Sequence, residues 1–347
     1  MAQDFLIAGQ LIAPGTRKRF EIPIAKLFDN TPMKMGVEVI HGQYDGPTMF
    51  ISGAIHGDEV IGTEIVKRLL ARKELNKLQG TLICIPIVNP FGYNNCTRYL
   101  PDRRDLNRCF PGSAGGSMAA RMAHILLSEI VSKCTYGIDI HSGSSYRVNL
   151  PQIRLELKDK TEMRLADAFG APVILNSTLR QGTLRQAAYD MGVKMLLFEG
   201  GEALRFDEHS ITVALHGILN VMHTVGMLEG DKMFSVPQTV VTAKSSHWLR
   251  AQYSGSLRIL KKLGAFVHEG DVLGSITDPF GDELAEVVAS KPGVIIATVT
   301  MPLINKGNAL FHIATLDEMK IIEKEEENKM VLDQDIDIEN EDWRPPI

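Results

Sequence analysis

The sequence predicts an α/β fold with helices on both faces of a sheet, followed by a smaller all-β domain. Three observations carry that expectation. Short apolar strands alternate with amphipathic helical stretches up to about residue 235. Four of those strands run straight into a polar residue: Ile55 into His56, Val88 into Asn89, Ile140 into His141 and Phe198 into Glu199. After about Val236 the helical periods stop, and short strands punctuated by Gly and Pro take over. Alternation of strands and helices is the pattern of a sheet covered by helix layers. The expected divisions are a domain over 1–235, a β-domain over 236–316 and an acidic tail over 317–347.

The elements follow in order. Residues 34–41 alternate with period two, and Tyr44-Asp45-Gly46-Pro47 reads as a turn. Residues 48–55 form a strand-like run, and a helical pattern extends from about Val60 to Arg72. Residues 80–88 and 137–140 are short continuous apolar runs of the kind found in buried strands. Ser117 to Ser132 and Gly182 to Asp190 read as helices, and 193–198 as a strand. Glu208 to Gly226 is a long helix with Gly226 as its C-cap.

The β-domain carries an internal repeat. Val267-His-Glu-Gly270-Asp-Val-Leu273-Gly-Ser-Ile276 matches Ile304-Asn-Lys-Gly307-Asn-Ala-Leu310-Phe-His-Ile313. A Gly-led strand precedes each copy, beginning at Gly255 and at Gly293. Such a duplication implies two interlocked halves. It resembles the barrel-sandwich hybrid of biotinyl and lipoyl carrier domains. The carrier lysine motifs M-K-M and D-K-A are absent, so a structural or gating appendage is expected.

Bulk properties narrow the function. A net charge of −5 without a Lys/Arg run argues against a nucleic-acid surface. No apolar run approaches the ~18 residues of a membrane span. The N-terminus has no basic start followed by an apolar core, so a cytoplasmic location is expected. Cys84, Cys96, Cys109 and Cys134 form no C-x-x-C pair and are expected as reduced thiols.

The chemistry concentrates in a few places. In His56-Gly57-Asp58-Glu59 an imidazole and a carboxylate sit where a strand hands over to a helix. Their spacing suits two ligands of one zinc ion. Asp58 is read as the helix-start cap. His141, at a strand end, is the natural third ligand. Asp139, two residues earlier on the same side, is the candidate partner for its other ring nitrogen. Glu199 follows a buried strand and precedes Gly200-Gly201, which makes it the candidate general base. Residues 89–112 read as a long loop with four arginines, Arg98, Arg103, Arg104 and Arg108. Either a solvated basic loop or an anion clamp fits that composition. His209, His216 and His223 recur every seven residues, too far apart along a helix to share one ion. That stripe and the β-domain are candidate contact surfaces for a homo-oligomer.

Taken together, His56, Glu59, Asn89-Pro90, Arg98, Asp105-Leu106-Asn107-Arg108, His141 and Glu199 resemble the succinylglutamate desuccinylase/aspartoacylase family, within the zinc carboxypeptidase superfamily. The resemblance spans roughly residues 45–230 in order. It implies a zinc-carboxypeptidase-like mixed sheet and one zinc ion per chain held by His56, Glu59 and His141. It implies that Glu199 activates water and that Arg98 stabilises the oxyanion. Asn107 and Arg108 would grip a substrate carboxylate, and Arg185 would be a further substrate-binding arginine. Tyr253 is the nearest counterpart of a tyrosine that the family's second domain supplies.

The expected activity is zinc-dependent hydrolysis of an amide bond other than a peptide bond. It would release a small acyl group from an N-acyl amino acid or related amine carrying a carboxylate. The alternatives are a zinc carboxypeptidase acting on peptides and a non-enzymatic partner-binding protein.

Overall fold

Burial on both faces explains why the central strands read as unbroken apolar runs. The structure is a computed structural model that describes residues 1–230, 234 and 240–315. The expected domain boundary near 235 and the acidic tail over 317–347 lie outside the described residues. The chain opens with a small hairpin, β1 (Phe5–Ile7) and β2 (Gln10–Ile12), and a long one, β3 (Thr16–Lys26) and β4 (Pro32–His41). Then come β5 (Thr48–Gly53), α1 (Ile61–Leu70), β6 (Thr81–Ile85), α2 (Pro90–Asn94), α3 (Met118–Ile125) and β7 (Tyr136–Gly143). They are followed by β8 (Arg147–Leu155), α4 (Lys160–Phe169), β9 (Val173–Asn176), α5 (Leu184–Asp190), β10 (Lys194–Glu202) and α6 (Glu208–Thr224).

The main sheet is mixed. β10, β7, β5 and β6 are neighbours in that order and all parallel. Antiparallel β4 and β3 extend one side, and antiparallel β8 the other. Side chains on β5 alternate between two cores. Met49 and Ile51 pack with buried residues of α1, α4 and α6. Phe50 packs with those of α3 and α5. The expected helix layers therefore lie on both faces.

Local chemistry sets the helix ends. The Ser117 hydroxyl accepts from Ala120 N and starts α3. Asp207 accepts from Ser210 N and starts α6. Gly226, at φ +77°, lies just beyond α6, as a left-handed C-terminal stop should. The helix expected over Ser117 to Ser132 divides, because α3 widens into a π-type turn over Leu126–Ile130. Residues 144–181, where no element is expected above, supply β8, α4 and β9.

Seven of the remaining strands are β11 (Val241–Ala243), β12 (Ser245–Arg250), β13 (Gly255–Ile259), β14 (Phe266–Val267), β15 (Val272–Thr277), β16 (Glu283–Val288) and β17 (Gly293–Val299). The last two are β18 (Leu303–Ile304) and β19 (Ala309–Thr315). Their pairing is an exchange. β13 pairs with β15 of its own repeat and with β18 of the other. β17 pairs with β19 of its own repeat and with β14 of the other. The registers correspond as well: Gly255 faces Ile304, and Gly293 faces Val267. β13, β15, β16 and β18 form a separate four-stranded antiparallel sheet. β17, β19 and β12 instead continue the main sheet, because β17 pairs with β8.

Candidate active site

Four adjacent parallel strands point their carboxyl ends at one place, where open α/β sheets bind ligands. β5 leads to His56, β7 carries His141 and β10 carries Glu199. Glu199 and His141 are register partners. β6 leads to Asn89, which takes another role: its side chain accepts from Gly92 N and caps α2. The region expected as a loop over 89–112 thus holds α2 and a short 3-10 turn at Leu106–Arg108.

The turn after β5 is tightly built. Ala54 adopts φ +49°, a conformation that costs a residue with a Cβ about 1 kcal/mol and clusters at functional sites. Gly57 is obligatory, because a Cβ there would lie 1.9 Å from the carbonyl carbon of Gly92. The chain folds back so that Glu59 N donates to His56 O, and α1 begins only at Ile61. This corrects the expectation for Asp58. The N-cap is Val60, with no side-chain cap bond, and Asp58 Oδ1 is buried without a partner. The turn moves the helix start beyond its reach.

His56, Glu59 and His141 converge. Their ligand atoms lie within 4.8 Å of one another, all in buried side chains. His56 Nδ1 is 2.7 Å from Glu59 Oε1, and His141 Nδ1 is 2.7 Å from Glu59 Oε2. The other ring nitrogens are occupied by carboxylates. His141 Nε2 lies 2.7 Å from Asp139 Oδ2, and His56 Nε2 lies 3.1 Å from Asp105 Oδ1. Asp139 is itself fixed by the Ser52 hydroxyl at 2.7 Å.

Two imidazoles that donate through Nε2 to carboxylates present lone pairs at Nδ1. Both lone pairs then face the anionic Glu59, an arrangement that calls for a cation between them. Burial disfavours charge on His141, but Asp139 and Glu59 outweigh it and hold its pKa well above 6.5. His56 is raised in the same way against burial, by Glu59 and Asp105. Burial would raise Glu59, yet the two imidazoles bring it below its usual range. The donor set, His-Glu-His with two outer carboxylates, fits a divalent metal ion.

A cleft of about 720 Å³ opens beside this triad. All eight residues singled out from the sequence as ligands, catalysts or substrate contacts line it: His56, Glu59, Arg98, Asn107, Arg108, His141, Arg185 and Glu199. Glu199 Oε2 accepts from Asn149 Nδ2 at 2.8 Å, and Oε1 lies 3.5 Å from Arg154 Nη1. Immediately after Glu199 the strand bulges, with Gly201 at φ +73°. Such bulges re-aim side chains beside functional sites.

Arg98 donates from Nε and Nη2 to Asp105 Oδ2 and from Nη1 to Glu59 Oε1 at 3.0 Å. Guanidinium has five N–H groups, so two remain for a ligand. Asp105 therefore bridges Arg98 and His56; in the sequence it figures only as the first residue of Asp105-Leu106-Asn107-Arg108, with no role of its own. Asn107 Oδ1 accepts from Leu184 N at 2.8 Å, which leaves its Nδ2 as the ligand donor. Arg185 Nη2 is tied to Ser177 O and Thr178 O, while Nη1 is buried without a partner.

Tyr253 is exposed and is not part of the cleft lining. Trp248 on β12 is. Arg147, Asn149 and Arg154 on β8 also line the cleft; the sequence carries no sign of them, because no local pattern places β8 beside β10. On α6, His216 of the histidine stripe stacks on Phe234 with centroids 4.6 Å apart. The four cysteines are free thiols.

Comparison with known proteins agrees with this geometry. The chain matches the succinylglutamate desuccinylase/aspartoacylase catalytic domain over residues 45–225. It is 28% identical over 287 residues to N-alpha-acetyl-L-2,4-diaminobutyric acid deacetylase of Halomonas elongata, covering 79% of this chain and 84% of that one. Among solved structures it is similar to the product-bound ectoine utilization protein EutE (DoeB) from Ruegeria pomeroyi. The TM-score there is 0.77 at 24% identity, covering 86% of this chain and 95% of that one. A succinylglutamate desuccinylase/aspartoacylase from Rhodobacter sphaeroides superposes with a TM-score of 0.73 at 24% identity, with the same coverage.

Proposed function

Because the chain belongs to the succinylglutamate desuccinylase/aspartoacylase family, whose members are amidohydrolases acting on non-peptide C–N bonds, we propose that it is a zinc-dependent deacylase. Its substrate would be an N-acyl amino acid or related amine bearing a carboxylate. The observation that carries this reading is the buried His56–Glu59–His141 triad at the floor of a cleft that also holds Glu199 and Arg98. The Halomonas relative is named for removing acetyl from a diaminobutyric acid. An N-acyl amine of similar size is the class assigned to this chain.

In this reading His56, Glu59 and His141 hold the zinc, and Asp139 and Asp105 fix the tautomers that leave Nδ1 free. When bound, zinc supplies a Lewis acid that acidifies water and polarises a carbonyl oxygen. Glu199 takes a proton from water on one of its carboxylate oxygens and delivers it to the leaving amine nitrogen. Asn149 holds that carboxylate in place. The two uncommitted N–H groups of Arg98 meet charge that develops on the amide oxygen. Asn107 and Arg108 bind the substrate carboxylate, and Arg185 lends its free Nη1.

The test is a screen of N-acetyl and N-succinyl amino acids, acylated diamines and short peptides on zinc-loaded protein, with metal analysis alongside. The expected result is about one zinc per chain and hydrolysis of an N-acyl amino acid but not of peptides. Peptide cleavage alone would favour the carboxypeptidase alternative, and absence of hydrolysis from every substrate would overturn the reading.

A further inference from the structure

Three guanidinium nitrogens on the cleft wall are buried without hydrogen-bond partners: Arg147 Nε, Arg154 Nε and Arg185 Nη1. An unmet buried donor costs about 1–3 kcal/mol. Three in one cavity suit an acceptor that arrives with the ligand. The cationic excess is large. Among the described residues six arginines line this cleft, against the carboxylates of Glu59 and Glu199.

Those arginines fall into two electrostatic groups. Arg108 feels the opposite charge of Asp105 and the like charges of Arg180 and Arg98. Arg185 feels the opposite charge of Glu162, then Arg154 and Glu156, and His312 feels both Arg154 and Arg147. The first group includes the Asn107-Arg108 turn already assigned to one carboxylate. The second is built on β8 and α5 and has no ligand assigned to it as a group. Within it, Arg154 is partly neutralised by Glu199 at 3.5 Å. Arg147 has no such carboxylate among the described residues; the charge that acts on it is another arginine, Arg250.

What holds Arg147 is aromatic. Its guanidinium lies over the Trp248 ring, 4.6 Å from the centroid. The same indole stacks on His312, with centroids 4.3 Å apart and planes at 10°. His312 is buried, and burial together with Arg154, His247 and Arg147 pushes its pKa down to about 3. A neutral imidazole supports the indole without repelling the guanidinium. The stack therefore fixes a cation in the cleft without neutralising it, as cation–π contact does.

We propose that Arg147, positioned by Trp248, is a specificity-determining residue for a second anionic group of the substrate. The preferred substrates are then N-acyl amines with two carboxylates, not ones pairing a carboxylate with a free ammonium. This rests on the deacylase reading above. The second carboxylate can sit on the amine half or on the acyl half, and the experiment separates the two.

Zinc-loaded wild-type and variant proteins are assayed on N-acetylaspartate, N-succinylalanine, N-acetylalanine and N-acetyl-2,4-diaminobutyrate. One or both dicarboxylates should exceed N-acetylalanine in kcat/KM by at least about tenfold, and the diaminobutyrate should fall below it. Which dicarboxylate is favoured tells which half carries the charge. Arg147→Met should reduce the preference ratio by about 10–100-fold, through KM more than kcat, as loss of a charge-assisted hydrogen bond does. Trp248→Leu should reduce the ratio in the same direction, and Trp248→Phe should restore most of it. A wild-type preference for the diaminobutyrate, or a ratio unmoved by Arg147→Met, overturns the proposal. If no amide is hydrolysed at all, the deacylase reading fails separately. Calorimetric titration with succinate then decides this site: binding that weakens in Arg147→Met supports it, and absent or unaffected binding overturns it.

Discussion

Glu199 on β10 and His141 on β7 stand in register across a parallel strand pair. Main-chain hydrogen bonds between these strands fix a carboxylate beside an imidazole, with backbones about 4.8 Å apart. The proposed base and a proposed metal ligand thus keep their separation without help from a loop.

That separation makes the roles separable. Glu199→Gln should lower kcat by about 10²–10⁴-fold, the usual contribution of a positioned base. Zinc content should stay the same, since Glu199 is not in the ligand triad. Steady-state kinetics with metal analysis check both. A variant that keeps wild-type turnover would remove Glu199 from the mechanism.

Asp139 is not one of the three proposed metal ligands, yet it fixes the His141 ring at 2.7 Å. Asp139→Asn should weaken zinc binding by about 10–100-fold, as loss of such outer partners does. Competition with a zinc chelator measures this. Unchanged affinity would mean that Ser52 and the strand already hold the ring.

Arg108→Ala should raise KM for carboxylate-bearing substrates by about 10–100-fold and leave metal content intact. Comparing an N-acyl amino acid with its amide isolates the effect. Equal losses on both would make Arg108 structural.

The pH dependence has a definite sign. In the ion-free protein, burial opposes charge on His141 and His56, but the facing carboxylates raise both above the ordinary 6.5. A raised imidazole stabilises below 6.5, and the contribution fades as pH climbs through its folded value. Glu59 runs the other way: burial raises it, the imidazoles outweigh burial, and the net value lies below the ordinary 4.5. Its contribution is present above 4.5 and is lost as pH falls through the folded value. The cluster therefore favours the ion-free fold most between about 4.5 and 6.5. Metal binding needs deprotonated Nδ1 atoms, so added zinc should raise Tm more at about pH 8 than at about pH 6. Melting curves with and without zinc test this, and the reverse order would contradict it.

Gly57→Ala should destabilise the fold by about 3 kcal/mol, because its Cβ meets backbone on backbone at 1.9 Å. Denaturant unfolding measures the loss. A cost below about 0.5 kcal/mol would show that the contact with Gly92 can relax.

How legible the site was depended on how local its parts are. His56, His141 and Glu199 each follow an apolar strand, Glu59 stands three residues beyond His56, and parallel strands put such ends side by side. Arg98 and Arg108 lie in an arginine-rich polar segment, but only the family resemblance separates them from Arg103 and Arg104 and singles out Asn107. Arg147, Asn149, Arg154 and Trp248 had no such signal. β8, with Arg147, Pro151 and Arg154 in it, has no clean alternation, and its neighbours β10 and β17 are distant in sequence. Trp248 comes from further still. Asp58 failed for a different reason: the turn closed by Glu59 N on His56 O shifts the helix start, which cap patterns cannot anticipate.

The exchanged pairing of β13 with β18 and of β17 with β14 has a consequence for assembly. Neither repeat can reach its final hydrogen bonding alone, so each completes its pairing only once the other is present. β17 in turn lies against β8, the strand that brings Asn149 to Glu199. During synthesis the cleft wall stays unfinished until residues far beyond Glu199 have emerged. A nascent chain halted between the repeats would own every proposed metal ligand and still lack a finished substrate pocket.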